Sequence, residues 1–533
     1  MNIFLYGPPG SGKTTLGSDL AAALDLPFHD LDSNIEAQAR CGIPQIFTEE
    51  GEQGFRRREL DALNALINEE TAGERVIALG GGALLNPAAR EAAEASGVVL
   101  CLSASLNTLA ARLASGEADG RPLLTGDPVE RLRGLLALRS AHYASFPLRL
   151  DVNRLAREEA LRQAQMLLGA FRVRGMGAPY GLRIAMNGLE ALGEHLLRLG
   201  FGVGQHPPAA VVTDSNVGEL YAERTAESLL RAGFIPHVIT FSAGEEHKTI
   251  HTVMQVWEGL LQAGIERGSP VIALGGGVVG DLTGFAAATY LRGVPWINVP
   301  TTLLAMIDSS IGGKTGIDLP QGKNLAGAFY PPRLVLADPA LLATLPEREL
   351  RGGLAEVIKH GVIGDPDLFE LCAHGLQAAL AYPEQLVKQG VAVKLRVIEI
   401  DPYEKGLRQA LNLGHTIGHG VELASDFSLS HGEAVAIGMV AEARLAEEIG
   451  IAESGLAETI RAALMRAGLP VEIPTDLETE RIAAAMQHDK KKSAGQVRFA
   501  LPARIGEVRV GIVVEDWQKR LEKAREVVIG GEQ

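Results

Sequence analysis

Cysteine is scarce: Cys41, Cys101 and Cys372 are the whole complement of a 533-residue chain. That excludes a disulfide-stapled scaffold and fits a reducing, cytoplasmic setting. No uncharged apolar run approaches the roughly 18 residues that a membrane helix needs, so no membrane partner is expected. The first apolar stretch, Ile3–Tyr6, runs straight into a glycine loop, and no secretory leader is expected there. Positive charge is in deficit, with a net charge of −15, which argues against nucleic acid as a partner. Lysine is rarer still, 13 against 37 arginines, and Lys13 is the only lysine before Lys248. A compact ammonium is not interchangeable with a planar guanidinium, so each lysine is a candidate site residue.

Glycine, by contrast, is abundant: 62 residues, against the roughly 7% that is usual. The glycines cluster without a collagen period, as they do where backbone closely approaches a ligand. At roughly 100–200 residues per domain the length suggests three or four domain-sized units. Residues 3–170 read as alternating strands (Ile3–Tyr6, Val76–Leu79, Val98–Leu102) and helices (Thr14–Leu24, Gly54–Asn68, Arg154–Leu168), an α/β pattern with a parallel sheet. GAFRVRGMGAP (169–179) has no period and three glycines, and marks a boundary, with the linker set at 171–179. A second α/β block follows, with strands expected at Ala209–Thr213, Pro236–Thr240, Val271–Leu274 and Trp296–Val299. From about Leu345 the chain becomes helical, with helices expected at Glu349–Gly361, Gln385–Glu399, Leu411–Leu423, Glu433–Ile449 and Gly455–Ala467. The hexapeptide IALGGG occurs twice, at 77–82 and 272–277, without wider similarity around the copies.

GPPGSGKTT (7–15) fits G-x-x-x-x-G-K-[ST] between a strand and a helix. Gly10, Gly12 and the helix N-terminus would cradle phosphates, Lys13 would reach the β/γ-phosphates, and Thr14, followed by Thr15, would meet Mg²⁺. Asp30 and Asp32, spaced i, i+2, would share one face of an extended strand, one serving the metal and the other a substrate hydroxyl. GEQGFRRRE (51–59), LGGGALL (79–85), GRPLL (120–124) and RSAHY (139–143) follow, with arginines at three separated places that suit an anionic acceptor.

In this order the motifs resemble shikimate kinase over residues 1–170. The resemblance implies a P-loop kinase fold using ATP and Mg²⁺. Asp32 is then the base or orienter for the attacked hydroxyl, and Asp30 holds Mg²⁺ through water. Arg56, Arg139, Gly80, Gly81 and Gly82 bind shikimate, and Arg121 lies in a lid over the transferring phosphate.

The second half has no P-loop. It carries TDSN (213–216), SAGEEHK (242–248), ALGGGVVGD (273–281), VPTTLLAMIDSSIGGKTGID (299–318), KNLAGAFY (323–330), GGLAEVIKHG (352–361), RQALNLGHTIGHG (408–420) and SHGEAV (430–435). The glycine turn lacks the full dinucleotide fingerprint. Lys314, Lys323 and Arg292 lie near glycine turns, suggesting an anion pocket, and Glu356 and Lys359 share a helix face. His415 and His419 have the i, i+4 spacing of zinc ligands, and spacing alone selects that pair.

These motifs resemble 3-dehydroquinate synthase from about residue 180 to 533, with an α/β NAD-binding domain (180–345) and a helical metal- and substrate-binding domain (346–533). The resemblance implies a different metal set, Glu356, His415 and His431, holding Zn²⁺ or Co²⁺, with His419 and Glu404 as proton handlers. It assigns NAD to Asp214, Asn216, Glu245, Lys248, Gly276, Gly277, Asp281, Thr301, Thr302, Lys323 and Thr344. It assigns the substrate, 3-deoxy-D-arabino-heptulosonate 7-phosphate, to Arg292, Asp308, Lys314, Asn324, Lys359, Lys394, Arg408, Asn412 and a phosphate lysine of HDKKK (488–492), Lys490 or a neighbour; Lys314 is also placed among the catalytic groups. Gly352 departs from relatives that carry a side chain able to reach NAD. A homodimer through this unit is implied. On sequence grounds another sugar-phosphate cyclase or a polyol dehydrogenase stays open for the second unit, and a nucleotide-sensing module for the first.

Overall fold

A computed structural model describes residues 2–69, 73–114, 128–175, 177–202, 204, 206–402, 404, 406–490 and 497–522. Arg121, Lys491, Lys492 and the side chain of Lys490 lie outside what is described. The chain divides into two compact units, residues 1–172 and 173–533.

In the first unit, β1 (Asn2–Tyr6), β2 (Phe28–Asp30), β3 (Val76–Ala78), β4 (Gly97–Ser103) and β5 (Leu148–Asp151) form a parallel sheet ordered β2-β3-β1-β4-β5. Alternation along β1 puts Phe4 and Tyr6 into one core with Ile77 and Val99, and Ile3 and Leu5 into the other with Val76 and Leu100. Helices close both faces, which is why the strand reads as a continuous apolar run. Helix α1 (Lys13–Leu24) brings Leu16, Leu20 and Leu24 to one face. Helices α2 (Leu31–Ala39), α3 (Ile43–Ile67) and α4 (Pro128–Ala144) bring Leu31, Ile35, Phe55, Leu63 and Tyr143 to the other. The helix expected from Gly54 begins eleven residues earlier, at Ile43. Gly51, at φ 70°, kinks it, and a kink of this kind hides the upstream turns from a periodicity search.

The strand β6 (Ala170–Val173) spans the division between the units, and the second unit is built on a sheet ordered β7 (Tyr180–Ile184), β14 (Leu334–Ala337), β11 (Trp296–Pro300), β10 (Val271–Gly275), β8 (Pro208–Asp214) and β9 (Ile235–Phe241). From β7 to β9 every pairing is parallel. The segment read as a linker therefore opens in a strand, because Ala170, Phe171 and Val173 are buried and four residues are too few to display a period. Helices α5 (Ser215–Arg231) and α6 (Gly277–Thr289) follow β8 and β10. An antiparallel hairpin, β12 (Lys314–Leu319) and β13 (Gly322–Phe329), carries Lys314, Lys323 and Asn324.

The helical part contains α7 (Glu347–Gly364), α8 (Pro383–Ile400), α9 (His415–Ala424) and α10 (His431–Glu448). Helix α9 starts four residues later than expected, because Gly414 is left-handed at φ 77° and the preceding turn is a 3₁₀ helix. The region also ends in a hairpin, β15 (Phe499–Arg504) and β16 (Glu507–Ile512), that its helical pattern does not announce.

Glycines let these helices cross at backbone contact. A Cβ on Gly432 would stand 2.4 Å from the Cα and carbonyl oxygen of Gly352, whereas a Cβ on Gly352 would meet only the Gly432 Cα, at 4.0 Å. The pair is thus asymmetric. Gly432→Ala should destabilise the second unit by about 1–3 kcal/mol through overpacking. Gly352→Ala should be neutral or stabilise it by up to about 1 kcal/mol, by restricting the unfolded chain. Scanning calorimetry of the full chain checks this, and equal melting of the two variants would mean that α7 and α10 do not touch there.

Candidate active sites of the two units

The loop between β1 and α1 is held in conformations that side chains resist. Gly7, Gly10 and Gly12 have φ of 135°, 77° and 87°, and a Cβ on Gly7 would lie 2.3 Å from the Leu102 carbonyl oxygen. Lys13 folds back over the loop, its Nζ donating to the carbonyls of Gly7 (3.0 Å) and Pro8 (3.1 Å). Thr14 donates to Asp30 Oδ2 at 2.7 Å, and Thr15 is exposed beside it. Asp30 also caps α2, its Oδ1 accepting from the Ser33 N–H. The extended spacing expected for Asp30 and Asp32 is not what is found: β2 ends at Asp30 and Asp32 sits in the first turn of α2. The cap formed by Asp30 turns the chain, so the second carboxylate is placed by a helix.

Asp32 nevertheless reaches the glycine run after β3. A Cβ on Gly80 would stand 3.1 Å from Asp32 Oδ1 and 2.5 Å from Glu59 Oε1, and one on Gly82 would stand 2.5 Å from Arg56 Nη2. The Gly81 carbonyl accepts from Arg139 (3.3 Å), Tyr143 (2.7 Å) and Tyr6 (3.4 Å). Asp32, Arg56, Arg139 and Gly80–Gly82 therefore stand together. Glu59, absent from the sequence reading, is buried and holds Arg56 through a 2.6 Å ion pair on the same helix face. Burial pushes its carboxyl up, against the pull of Arg56. The i, i+3 spacing of Arg56 and Glu59 was the signal that could have found it.

In the second unit the candidate cofactor residues collect at the carboxyl ends of parallel strands. The chain runs from β8 to β9 on one side and then to β10 on the other, so strand order reverses between β8 and β10, the place where such sheets bind ligands. Asp214 ends β8 and caps α5, accepting from Asn216 N and Val217 N at 2.9 Å each. Gly276 caps α6 after β10. A Cβ there would meet Thr302 Cγ2 at 3.1 Å, and one on Gly277 would meet Ser309 Oγ at 3.2 Å, so the turn leaves a cradle that a side chain would fill. Thr301 and Thr302 follow β11; Thr301 Oγ1 is buried without a hydrogen bond and Thr302 Oγ1 accepts from the Ala305 N–H. Thr344 bonds the Tyr221 hydroxyl. Buried Lys248 bridges Asp281 Oδ2 (2.7 Å) and Asn324 Oδ1 (2.6 Å), with the Glu245 carboxylate within electrostatic reach. Lys314 lines the same glycine turn with Ser309 and Asp281.

Lys323 pairs with Glu422 at 3.3 Å and stacks on Phe427, and Arg292 is exposed at a left-handed φ of 68°, without a hydrogen bond or ion pair among the described residues.

Helix crossing brings two candidate metal-ligating sets together, Glu356–His415–His431 and His419–Glu422–His431. Glu356, fully buried on α7, presents an Oε1 that makes no hydrogen bond, and His415 Nε2 and His431 Nε2 each stand 3.5 Å from it. His415 and His431 are the first residues of α9 and α10. Their outer nitrogens are engaged, Nδ1 of His415 with the Leu413 carbonyl (3.1 Å) and Nδ1 of His431 with Glu422 (3.4 Å), which aims both Nε2 atoms inward. Two imidazoles and a carboxylate are a donor set that fits a catalytic zinc-type ion. His419 is exposed, its ring 5.0 Å from that of His415; it approaches the set with Glu422 and His431, but Glu422 is already occupied by Lys323 and the His431 N–H. The pair selected by spacing divides between the two sets: His415 stands with Glu356 and His431, and His419 with Glu422 and His431.

Charge is balanced around this set. The Lys359 ammonium touches the second oxygen of Glu356, and Lys394 donates to both the carboxylate and the carbonyl of half-buried Asp308. Burial would raise both carboxylates, yet the lysines hold Asp308 and Glu356 well below the usual range. Burial keeps His415 neutral, pushed down to about 3, and His360, also buried, is pushed down to about 4. Burial opposes protonation of His431, but Glu356 and Glu422 raise it to about 9. Asn412 donates to Glu404 Oε1 at 3.1 Å, and buried Arg408 is tied to Asp401 and Pro402. Glu422 and His360 gave no sequence signal, because a carboxylate on a helix reads as solvated surface and a lone histidine as core.

The shikimate kinase family matches residues 9–167. The N-terminal and C-terminal parts of 3-dehydroquinate synthase match 238–352 and 353–492. The second unit is 45% identical to the 3-dehydroquinate synthase of Synechocystis sp. over 346 residues (64% of this chain, 95% of that protein). It is 48% identical to that of Pelobacter propionicus over 333 residues (62% and 91%). Solved structures that share the fold include a 2-deoxy-scyllo-inosose synthase complexed with carbaglucose-6-phosphate, NAD⁺ and Co²⁺ (26% identity, TM-score 0.60, 66% of this chain and 99% of that one). Another is the 2-epi-5-epi-valiolone synthase of Streptomyces hygroscopicus subsp. jinggangensis with NAD⁺ and Zn²⁺ (29%, TM-score 0.59, 68% and 100%). The sugar-phosphate cyclases share the fold at 26–29% identity, but the 45–48% identity over more than nine-tenths of two synthases decides between them: the chain belongs to the 3-dehydroquinate synthase family, with a shikimate kinase domain fused ahead of it.

Proposed function

We propose that the first unit transfers the γ-phosphoryl group of ATP to the 3-hydroxyl of shikimate, and that residues 173–533 convert 3-deoxy-D-arabino-heptulosonate 7-phosphate to 3-dehydroquinate and phosphate. The observation that carries the reading is the presence of two sites in one chain, a P-loop with Asp32 and Arg56 gathered at the Gly80–Gly82 run, and a Glu356–His415–His431 set whose carboxylate is buried.

In the kinase, the loop amides and Lys13 hold the nucleotide phosphates, and the linked Thr14 and Asp30 hold Mg²⁺. Asp32 orients the attacked hydroxyl and takes its proton. Arg56, fixed by Glu59, and Arg139 grip the shikimate carboxylate over Gly80–Gly82, and Arg121 closes on the phosphate. In the synthase, residues 180–345 form the NAD-binding domain and 346–533 the metal- and substrate-binding domain. Asp214, Asn216, Glu245, Lys248, Gly276, Gly277, Asp281, Thr301, Thr302, Lys323 and Thr344 line the NAD crevice. Glu356, His415 and His431 would hold Zn²⁺ or Co²⁺, which would supply Lewis-acid polarisation of a substrate hydroxyl, and NAD would supply reversible hydride transfer. A cation on Glu356 would leave Lys359 with spare positive charge, which suits an anionic substrate held also by Lys394, Asp308, Arg292, Lys314, Asn324, Arg408, Asn412 and Lys490. His419, open to solvent, and Glu404, oriented by Asn412, move protons. The chain acts in the cytoplasm as a homodimer through the second unit; its free cysteines and the exposed Ile235 and Val238 on edge strand β9 support this.

Lys13→Ala should remove shikimate phosphorylation and leave 3-dehydroquinate formation at the wild-type rate, measured by parallel assays of one preparation. Loss of both in a folded variant would mean that the units are not independent. Asp32→Asn should lower kinase turnover by about 10²–10⁴-fold with ATP affinity retained. An equal fall in ATP affinity would assign Asp32 to the nucleotide.

The histidines separate by metal content. His415→Ala and His431→Ala should purify with little zinc. His419→Ala should keep one equivalent while the synthase slows by about 10²–10⁴-fold. Elemental analysis decides: a zinc-free His419 variant beside a zinc-replete His431 variant restores the helical pair as the site.

A further inference from the structure

Helix α9 has an uncovered beginning. It starts after left-handed Gly414, and no side chain at its own start caps it. The first N–H groups of a helix have no partner within it, and Gly414 and Ile417 are both buried. Their partner comes from the neighbouring helix. Glu442, three turns into α10 and fully buried, accepts from Gly414 N at 2.6 Å through Oε2 and from Ile417 N at 3.1 Å through Oε1. A buried carboxylate is tolerated where N–H groups and the positive end of a helix receive it.

The same crossing is closed by glycine. A Cβ on Gly438 would stand 2.0 Å from the Gly414 carbonyl oxygen, and one on Gly418 would stand 2.7 Å from that of Ala434. The two helices can therefore neither slide nor separate without breaking the Glu442 bonds. His415 is the residue directly after Gly414, and His431 begins the helix that carries Glu442. The spacing between these two imidazoles, whose ring centres are 5.2 Å apart, is set by this one crossing.

We propose that Glu442 is a positioning residue of the synthase metal centre, a helix cap supplied by a neighbouring helix that fixes His415 against His431 and Glu356. It acts through its hydrogen bonds to the first turn of α9. The inference rests on the assignment of Glu356, His415 and His431 as the ligands.

The test uses the full chain stripped of metal and titrated with Zn²⁺ against a chromophoric chelator, with Co²⁺ absorption as a second reading of ligand geometry. Glu442→Gln keeps the shape but offers one acceptor to two donors. It should weaken Zn²⁺ by roughly 10- to 100-fold and alter the Co²⁺ spectrum, with kinase activity unchanged. Leu445→Ala removes a buried side chain from the same helix and leaves the Glu442 hydrogen bonds to Gly414 and Ile417 in place. It should lower the melting temperature while leaving Zn²⁺ affinity and the Co²⁺ spectrum as in the wild type. Wild-type affinity in Glu442→Gln overturns the proposal, as does an equal loss in Leu445→Ala, which would reduce Glu442 to general stability. If Glu442→Gln does not fold, Glu442→Asp, one methylene too short to span both amides, carries the same test with the same expected and overturning results. His415→Ala is the reference: if it binds Zn²⁺ as tightly as the wild type, the ligand assignment itself fails; if it loses Zn²⁺ and Glu442→Gln does not, only the role of Glu442 falls.

Discussion

A carboxylate with no exposed surface is the constraint on which the synthase unit depends. An isolated charge at the position of Glu356 would be strongly destabilising, because the interior withholds the solvation that water gives. The chain answers with Lys359 on one side and two imidazoles on the other. Those imidazoles must come from helix starts to approach end-on, and the helices must then cross tightly enough for Gly352, Gly414, Gly418, Gly432 and Gly438 to be backbone contacts. The Asp308–Lys394 pair belongs to the same balance. Glycine content, lysine placement and helix geometry in this region are consequences of one buried negative charge.

The kinase unit uses the same device with the signs exchanged. Arg56 and Glu59 are spaced i, i+3 on α3, with the acid buried and the base facing the site; Glu356 and Lys359 repeat the spacing on α7, with the acid now facing the site. The choice of base follows the task. A guanidinium presents a planar fork to a carboxylate, whereas an ammonium presents a point charge that fits beside a metal ligand. The scarcity of lysine in the chain makes that division visible.

Sequence reading recovered what is written locally. The P-loop, the glycine turns at strand ends and the long helices depend on neighbours within a few residues, and apart from the kinked start of α3 they lie within a few residues of where periodicity puts them. IALGGG shows the limit of local reading. Both copies end a strand, but the first is followed by a 3₁₀ turn, Ala83–Leu85, and the second opens a thirteen-residue helix. Asn86 and Pro87, just beyond the first copy, end that turn and start a separate helix. The metal set was beyond spacing altogether, since its three members lie on three helices and meet only through tertiary crossing. Glu59, Glu422 and Glu442 were illegible for a different reason: an acidic residue on a helix looks solvated until the packed partner is known.

The placement of Glu356 and Lys359 on one straight helix bears on how this unit can change over time. An α-helix advances about 100° per residue, so a single insertion anywhere between α7's crossing at Gly352 and Lys359 would swing one group away from the other elements while leaving composition and propensity untouched. Loops can lengthen and surfaces can be rewritten, but inside 347–364 the inherited quantity is rotational phase. Lineages of this unit should therefore drift freely in amino-acid identity along α7's outer side and stay fixed in its length.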